Sequence, residues 1–192
     1  MNTLPTIDAV ILAAGKGKRF GCKKQFVDFM GRAVWLWVYE SAVSLFDNVI
    51  VVGIDVAGGK TRQESSLIGI RQSNADYVVI FDAARPLVSE KQIIAVKKAV
   101  LKHPSVSFGM EPTDTIYDGE KYARKGLIAL QVPQAFDRDM LLRAHLKTKI
   151  KNATDDTIIF KDVHGIKPKI LEGGKNLHKL TVKEDLDILR AL

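Results

Sequence analysis

Short, nearly continuous apolar runs recur along the chain and indicate buried strands. A strand that is covered on both faces of a sheet has no polar side, so its sequence is almost wholly apolar. Four such runs occur, at residues 7–13, 48–53, 77–81 and 106–110, and a further strand is predicted near 167–171. Their spacing leaves room for a helix between most successive strands.

The intervening segments carry helix signals. Thr61, Ser89 and Thr181 are each followed three residues later by Glu or Gln, the pattern of a capping box at a helix start. Helices are therefore predicted over 33–46, 62–73, 89–102, 137–147 and 155–162, with a last helix opening at Thr181 and using Glu184 as its box partner. Strands that alternate with helices indicate an open, mostly parallel α/β sheet.

One segment interrupts the alternation. Residues 111–131 are polar and centre on the turn signal Asp118-Gly119, so they predict a hairpin or arm. The 192-residue length, with no internal repeat and no linker-like stretch, predicts one domain over 1–192 that includes this arm.

Composition excludes several classes of protein. A single cysteine, Cys22, excludes an intrachain disulfide and a cysteine-rich zinc site. No apolar run approaches the roughly 20 residues of a spanning helix, and the N-terminus lacks the pattern of a signal peptide. The four histidines lack metal-ligand spacing. These features lead us to expect a cytoplasmic enzyme or binding protein with no membrane partner.

Positive charge is concentrated in one glycine-containing loop. The chain has 29 Lys and Arg against 22 Asp and Glu, a net charge of +7, and residues 16–24 hold five cations and no acid. This loop follows the first strand and Asp82 follows the third, so both are expected at the ligand-binding edge of the sheet. Focused charge suits a small polyanion. A basic nucleic-acid-binding module, the alternative from another class, would spread cations over a face with exposed aromatics.

Two glycine loops are candidates for nucleotide contact. Gly15 and Gly17 fit a dinucleotide fingerprint, but its third glycine position is Phe20. Glycines let backbone N–H groups approach phosphate oxygens, and Arg19 with the lysines would balance the charge that grows as pyrophosphate departs. The second loop, residues 58–61, misses the P-loop spacing by one residue but precedes a capped helix.

The ordered motifs together resemble the 2-C-methyl-D-erythritol 4-phosphate cytidylyltransferase family of the non-mevalonate isoprenoid route. They cover residues 7–189 and read AVILAAGKGKRF, KKQF, GGKTRQES, DAARP, EPTDT, ARKGLIALQVPQAF, TDDTIIF and HKLTVKEDL. The resemblance implies a Rossmann-like α/β fold, with a mostly parallel sheet, helices on both faces and a protruding β-arm that makes a homodimer. It also implies transfer of CMP from CTP to 2-C-methyl-D-erythritol 4-phosphate, with pyrophosphate released and Mg²⁺ as cofactor.

The same resemblance assigns roles by position. The catalytic cations it implies are Arg19, Lys24, Arg124 and Lys179. The nucleotide-binding positions are Ala13, Ala14, Gly15, Gly59, Lys60, Ser65 and Asp82. The acceptor-binding positions are Arg85, Thr115, Arg124, Lys179 and Thr181. No direct metal ligand is assigned, although Asp82 is a candidate.

Some positions depart from the family pattern. The stretch between Gly53 and Gly58 is short, Leu177 stands where many relatives have asparagine, and Lys23 replaces a usual proline. These changes resemble fused enzymes in which this domain precedes a cyclodiphosphate synthase, so fusion to or association with such a domain is an open expectation. A ribitol-5-phosphate cytidylyltransferase, which shares the glycine loop, remains the alternative activity.

The reaction that the resemblance implies needs no side-chain base. A phosphate monoester is mostly dianionic near neutral pH, since its second pKa is about 6, and it can attack the α-phosphorus of CTP directly. The protein must align two anions and neutralise their repulsion, a task that suits Mg²⁺ with Arg19 and Lys24.

Overall fold

The computed structural model describes residues 4–192. Within that range the strands are β1 (Ile7–Leu12), β2 (Asp28–Phe29), β3 (Arg32–Ala33), β4 (Val49–Val52), β5 (Tyr77–Asp82), β6 (Ser105–Met110), β7 (Ile116–Tyr117), β8 (Tyr122–Ala123), β9 (Ala129–Asp137) and β10 (Lys169–Glu172). The helices are α1 (Val34–Val43), α2 (Arg62–Gln72), α3 (Glu90–Val100), α4 (Arg138–Lys147), α5 (Asp156–His164) and α6 (Asp185–Arg190). None of these helices combines the length and apolar character needed to cross a membrane.

Six strands form one sheet in the order β10-β6-β9-β5-β1-β4. β1 runs parallel to β4 and β5, and β10 runs parallel to β6. β9 alone is antiparallel to its neighbours, β5 and β6. The prediction of a mostly parallel sheet is confirmed, but a strand over 129–137 was not predicted, and residues 129–131 belong to it rather than to the arm.

Pro133 explains why β9 escapes the sequence pattern. A proline inside an apolar run argues against a central strand, because it cannot donate to the ladder. Here the β6–β9 register shifts, so that Val132 and Pro133 lie unpaired between Gln131 and Gln134. A bulge of this kind removes the need for a ladder N–H at the proline.

Helices cover both faces of the sheet, as expected. One face packs on α1 and α3 through fully buried residues such as Ile11, Val38 and Ile93. The opposite face packs on α2, α4 and α5 through residues such as Val10 and Leu141. Burial of each such side chain contributes about 1.5–3 kcal/mol, so both layers hold the strand ends firmly in register.

One of the three predicted capping boxes forms in full, and in a second only the N-cap half forms, because the Glu64 side chain accepts the Lys60 N–H and not that of Thr61. Ser89 accepts a hydrogen bond from the Gln92 N–H, and the Gln92 side chain accepts one from the Ser89 N–H at 3.0 Å. Thr61 Oγ1 accepts the Glu64 N–H at 3.1 Å. The start of α2, which borders the candidate site, is therefore fixed by local sequence.

The prediction for the last helix is wrong in its start. α6 begins at Asp185, and Thr181 does not cap it. Instead the Asp185 carboxylate accepts the backbone N–H groups of Thr181 and Val182 at 2.6 and 2.8 Å. A carboxylate can accept both N–H groups at once, which explains why it replaces the threonine hydroxyl as the organiser of this turn.

Residues 111–128 leave the sheet and contain the β7–β8 hairpin. Tyr117 and Tyr122 stack across it with ring centroids 4.5 Å apart, and both rings are exposed. Ile116 on the same hairpin is exposed as well. The hairpin therefore presents apolar side chains to its surroundings rather than to the core.

The strand order creates a crevice at one edge of the sheet. From β1 the chain passes to β4 on one side and later to β5 on the other side. The loops that follow β1 and β5 therefore diverge, and such a switch point is where α/β sheets bind ligands. The basic loop and the DAARP segment are the two loops concerned.

Candidate active site

A cavity of about 310 Å³ opens at this switch point. Its walls come from the loop after β1, the loop before α2, the segment after β5 and the segment before α6. The charged side chains that line it are Lys16, Lys18, Arg19, Lys24, Lys60, Arg62, Asp82 and Lys179. Seven of these are cations and one is a carboxylate, so the cavity suits a ligand that carries several negative charges.

Most of the predicted site residues converge on this cavity. Those in its lining are Ala13, Ala14, Gly15, Arg19, Lys24, Gly59, Lys60, Ser65, Asp82, Lys179 and Thr181. Three predicted residues lie outside the lining, namely Arg85, Thr115 and Arg124. The glycine loops, the DAARP segment and the late K-x-T motif therefore form one site, although they are distant in sequence.

The loop after β1 exposes a row of backbone donors. Among the described residues, the N–H groups of residues 14–19 donate to no protein acceptor. The loop carbonyls are engaged, since the Gln25 side-chain amide donates to the oxygens of Ala13 and Gly15 at 2.7 and 3.0 Å. Free N–H groups in a concave loop attract anions. Gln25, buried below the loop, belongs to the KKQF motif, but no role was predicted for it.

Gly17 is required by the path of this loop. Its φ is +64°, a left-handed conformation that favours glycine. A Cβ at this position would lie 1.6 Å from the carbonyl oxygen of Cys22. Any side chain would therefore push the two arms of the loop apart and disturb the donor row.

The loop before α2 forms the facing wall. The Gly59 N–H donates to Ser65 Oγ at 3.1 Å, and that hydroxyl donates to the Thr61 carbonyl at 2.9 Å. A Cβ on Gly58 would come within 2.0 Å of the Ala14 Cβ, so the two glycine loops touch. Ser65 is thus engaged within its own turn, where it shapes the wall.

Asp82 lies at the base of the cavity among three cations. Its Oδ2 accepts a hydrogen bond from Lys179 Nζ at 2.6 Å, and Arg62 Nε and Arg85 Nε each lie 3.7 Å from one of its oxygens. Burial alone would raise the pKa of the Asp82 carboxyl, but the charges of Lys179, Arg62 and Arg85 outweigh it and hold that pKa well below its usual range. Asp82 is therefore ionised at neutral pH.

The positive charge of Lys24 is poorly stabilised by its surroundings. Its ammonium is half-buried and donates to the Leu180 carbonyl. Burial, followed by repulsion from Lys179 and Arg19, lowers the pKa of Lys24 to about 8, although Asp82 and Asp185 act in the opposite direction. An anion bound beside Lys24 would supply the missing countercharge.

This pKa predicts how activity depends on pH. Below about pH 8 Lys24 is protonated, and above it the free enzyme loses that positive charge. For the CTP-dependent reaction that the resemblance implies, we expect kcat/KM, which reports the free enzyme, to decline above about pH 8. In Lys24→Arg the guanidinium stays charged, so this decline should move to higher pH, whereas Lys23→Arg should leave it in place. Matching alkaline limbs in the wild type and Lys24→Arg would contradict the assignment.

The three remaining predicted residues have other settings. Arg85 lies behind Asp82, where it is largely buried and donates to the Leu177 carbonyl. It therefore anchors the segment that carries Lys179 instead of facing the cavity. Thr115 and Arg124 lie exposed on the arm, and Arg124 Nη1 makes a long hydrogen bond of 3.4 Å to the Thr113 carbonyl. Neither arm residue lines the cavity of its own chain.

Local bonds hold the late segment against the DAARP loop. The Leu180 N–H donates to the Ala84 carbonyl at 2.8 Å, and Thr181 Oγ1 donates to the Lys179 carbonyl at 2.9 Å.

Within the described chain, the cavity lining includes no histidine or cysteine. Its arrangement of cations and N–H donors is suited to stabilising developing charge on phosphate oxygens.

Comparison with known proteins agrees with this chemistry. The family model of 2-C-methyl-D-erythritol 4-phosphate cytidylyltransferase matches residues 7–192. The 2-C-methyl-D-erythritol 4-phosphate cytidylyltransferase of Aquifex aeolicus is 32% identical over 205 residues and aligns over 96% of both chains. The enzyme of that name from Thermotoga neapolitana is 33% identical over 217 residues, covering 96% of this chain and 95% of the relative.

A solved structure extends the comparison to fused enzymes. The bifunctional IspDF of Campylobacter jejuni superposes with a TM-score of 0.85 at 27% identity, over 96% of this chain. The chain spans only 54% of that bifunctional protein. This neighbour confirms the predicted resemblance to the fused variants.

Proposed function

The chain belongs to the 2-C-methyl-D-erythritol 4-phosphate cytidylyltransferase family, and we propose that the basic cavity is the site at which it transfers CMP from CTP to 2-C-methyl-D-erythritol 4-phosphate. One observation carries this proposal. The lining combines seven cationic side chains and a row of free N–H groups with a single carboxylate. A triphosphate meeting a second phosphate needs that excess of positive charge.

In the proposed reaction, an oxygen of the acceptor phosphate attacks the α-phosphorus of CTP. A new P–O bond forms, the bond from the α-phosphorus to the bridging oxygen breaks, and pyrophosphate leaves with the electron pair. No proton needs to be removed, because the attacking phosphate is already largely dianionic near neutral pH. Arg19 and Lys24 are proposed to stabilise the charge at the reacting phosphorus, and the N–H groups of residues 16–19 to hold the departing phosphates.

Asp82 is the residue proposed to hold Mg²⁺. A carboxylate together with phosphate oxygens is a usual ligand set for this ion, and Asp82 is ionised and lies in the lining, with Oδ1 as the oxygen that does not accept from Lys179. Bound there, Mg²⁺ would neutralise and orient the phosphates. The described residues include no group of three or more side chains that would hold a metal without substrate.

The acceptor side of the site is proposed to be completed by a second subunit. Thr115 and Arg124 lie on the arm and are outside the cavity lining of their own chain. The exposed side chains of Ile116, Tyr117 and Tyr122 on the same arm favour contact with another molecule. In a twofold dimer the arms would be exchanged symmetrically, so that each site receives Thr115 and Arg124 of the partner subunit.

Base choice tests the nucleotide half of the proposal. We propose that the backbone of residues 13–15 and of Gly59, together with Ser65, binds the amino edge of cytosine; all of these residues lie in the cavity lining. A site built to bond that edge rejects UTP, because its buried polar groups would be left unpaired. We expect kcat/KM for CTP to exceed that for UTP by ~10²-fold or more. The measurement is pyrophosphate release with each of the four NTPs, with and without methylerythritol phosphate.

Two outcomes would count against this assignment. Equal kcat/KM values for CTP and UTP would contradict a cytosine-reading pocket. Ribitol 5-phosphate serves as the comparison acceptor, and faster turnover with it than with methylerythritol phosphate would contradict the acceptor half.

A further inference from the structure

A line of alternating charges runs from the cavity wall into the protein interior. Lys179 Nζ lies 2.6 Å from Asp82 Oδ2, and Arg62 Nε lies 3.7 Å from Asp82 Oδ1. Arg62 Nη1 then donates to Asp156 Oδ2 at 2.7 Å, and Asp156 Oδ1 lies 3.0 Å from His145 Nε2. The line joins the late segment, β5, α2, α5 and α4.

Arg62 is the residue in this line that touches both carboxylates. It is the first residue of α2, directly after the capping residue Thr61. Its Nη2 is buried and donates to no acceptor among the described residues. Its Nε faces Asp82 and its Nη1 donates to Asp156, so two different nitrogens of the guanidinium contact the two carboxylates.

The inner end of the line is a fixed anchor. The side chains of Asp156 and His145 are each only 1% exposed. Burial would raise the pKa of Asp156, but the charge of Arg62 and the hydrogen bond from His145 hold it well below its usual range. A buried, ionised carboxylate that accepts a hydrogen bond from Arg62 Nη1 restrains where the guanidinium lies.

We infer that Arg62 is a positioning residue: anchored by Asp156, it holds the Asp82 carboxylate in the orientation that presents Oδ2 to Lys179, and so sets the place of the Lys179 ammonium in the cavity. The inference rests on the proposed function and on the acceptor-binding role that the family resemblance implies for Lys179. Lysine has a flexible four-carbon stem, so the position of the Lys179 ammonium depends on how firmly the Asp82 carboxylate is held. Two different nitrogens of the planar arginine fork contact the two carboxylates, a geometry that the single ammonium nitrogen of a lysine at position 62 cannot reproduce.

The test removes the charges of Asp156 and Arg62 together. Arg62→Gln alone would strand Asp156 as a buried unpaired charge and destabilise the fold. The double variant Arg62→Gln/Asp156→Asn removes both charges, so its Tm should stay close to that of the wild type. We expect its kcat/KM to fall ~10-fold or more, because misplacing a phosphate-binding group is costly to the transfer. Wild-type kcat/KM in this variant would overturn the inference.

A coupling measurement separates positioning from a merely structural role. If Arg62 acts through Lys179, adding the double variant to Lys179→Ala should lower kcat/KM no further. The same fold-loss with and without Lys179 would overturn the inference. If Lys179→Ala alone had no effect, the proposed role of Lys179 would be the part that fails.

Two single variants complete the test. Arg62→Lys keeps a charge beside Asp156 but cannot bridge the carboxylates, so its kcat/KM should fall as well, and full activity would argue against positioning. Arg138 is the matched control, because its side chain is 18% exposed against 20% for Arg62 and it lies at the opposite edge of the sheet. Arg138→Gln should leave kcat/KM unchanged.

Discussion

Replacing Arg19 or Lys24 by alanine is expected to lower kcat by ~10²-fold or more. Both side chains line the cavity beside the free N–H groups of residues 14–19. A cation whose effect is greatest when charge develops on the reacting phosphates stabilises the transition state more than the bound substrates. Its removal therefore lowers kcat and not only the affinity for CTP.

Lys23 provides the matched control for both variants. It belongs to the same basic loop and carries the same charge, but it is exposed and lies outside the cavity lining. Lys23→Ala should keep kcat within about twofold of the wild type, as expected for a surface charge away from the reacting atoms. A near-normal kcat in Arg19→Ala or Lys24→Ala would contradict the proposed roles. The readout is steady-state pyrophosphate release at saturating CTP and acceptor.

Mixing two inactive variants is expected to restore activity. If the arm serves the partner subunit, a mixed dimer of Arg19→Ala and Arg124→Ala chains has one site with both lesions and one site with neither. Up to about half of the sites in mixed dimers would then be active, from the twofold symmetry alone. Each parent dimer has a lesion in every site. The measurement is specific activity after the two chains are mixed and allowed to exchange subunits.

The size of this effect depends on Arg124. A guanidinium can clamp a phosphate through paired N–H bonds, which an ammonium cannot reproduce. Arg124→Lys should therefore be nearly as inactive as Arg124→Ala. If the arm serves its own subunit, every site in a mixed dimer keeps one lesion and mixing restores nothing. That result, or full activity from a strictly monomeric chain, would contradict a shared site.

The strands and helices that frame the cavity could be predicted from the sequence because each has a local cause. β1 and β5 are continuous apolar runs, and α2 and α3 begin at hydroxyl caps. The basic loop and Asp82 could be placed together because carboxyl ends of parallel strands share an edge. The topology of a parallel sheet is therefore enough to predict that these distant motifs form one site.

The features that could not be predicted depend on contacts between residues that are distant in sequence. β9 contains a proline that only the bulge opposite β6 makes acceptable. Gln25 looks like an ordinary surface residue, yet it lies buried beneath the glycine loop and bonds two of its carbonyls. Arg62 follows a capping threonine and gives no local sign that two distant carboxylates, Asp82 and Asp156, will enclose it.

Arg85 illustrates how a sequence motif can indicate the region of a side chain without indicating its direction. The sequence indicated a phosphate-binding arginine beside Asp82, and the residue does lie next to that carboxylate. Its guanidinium, however, donates to the Leu177 carbonyl from behind the cavity. Burial there lowers the pKa of Arg85, partly offset by Asp82. The direction of a side chain after a turn is set by tertiary packing rather than by the motif.

Single-turnover transfer in Arg19→Ala, compared with Arg19→Lys, tests most directly the claim that charge neutralisation in this cavity drives the reaction. Enzyme in excess over CTP, with saturating acceptor, is quenched on the millisecond-to-second scale, and CMP transfer is followed separately from CTP binding. The account predicts that alanine lowers the transfer rate by ~10²-fold or more while CTP binding weakens far less, and that lysine, which keeps the charge, recovers part of the rate. A transfer rate in Arg19→Ala within a few-fold of the wild type, with CTP binding alone impaired, would contradict it.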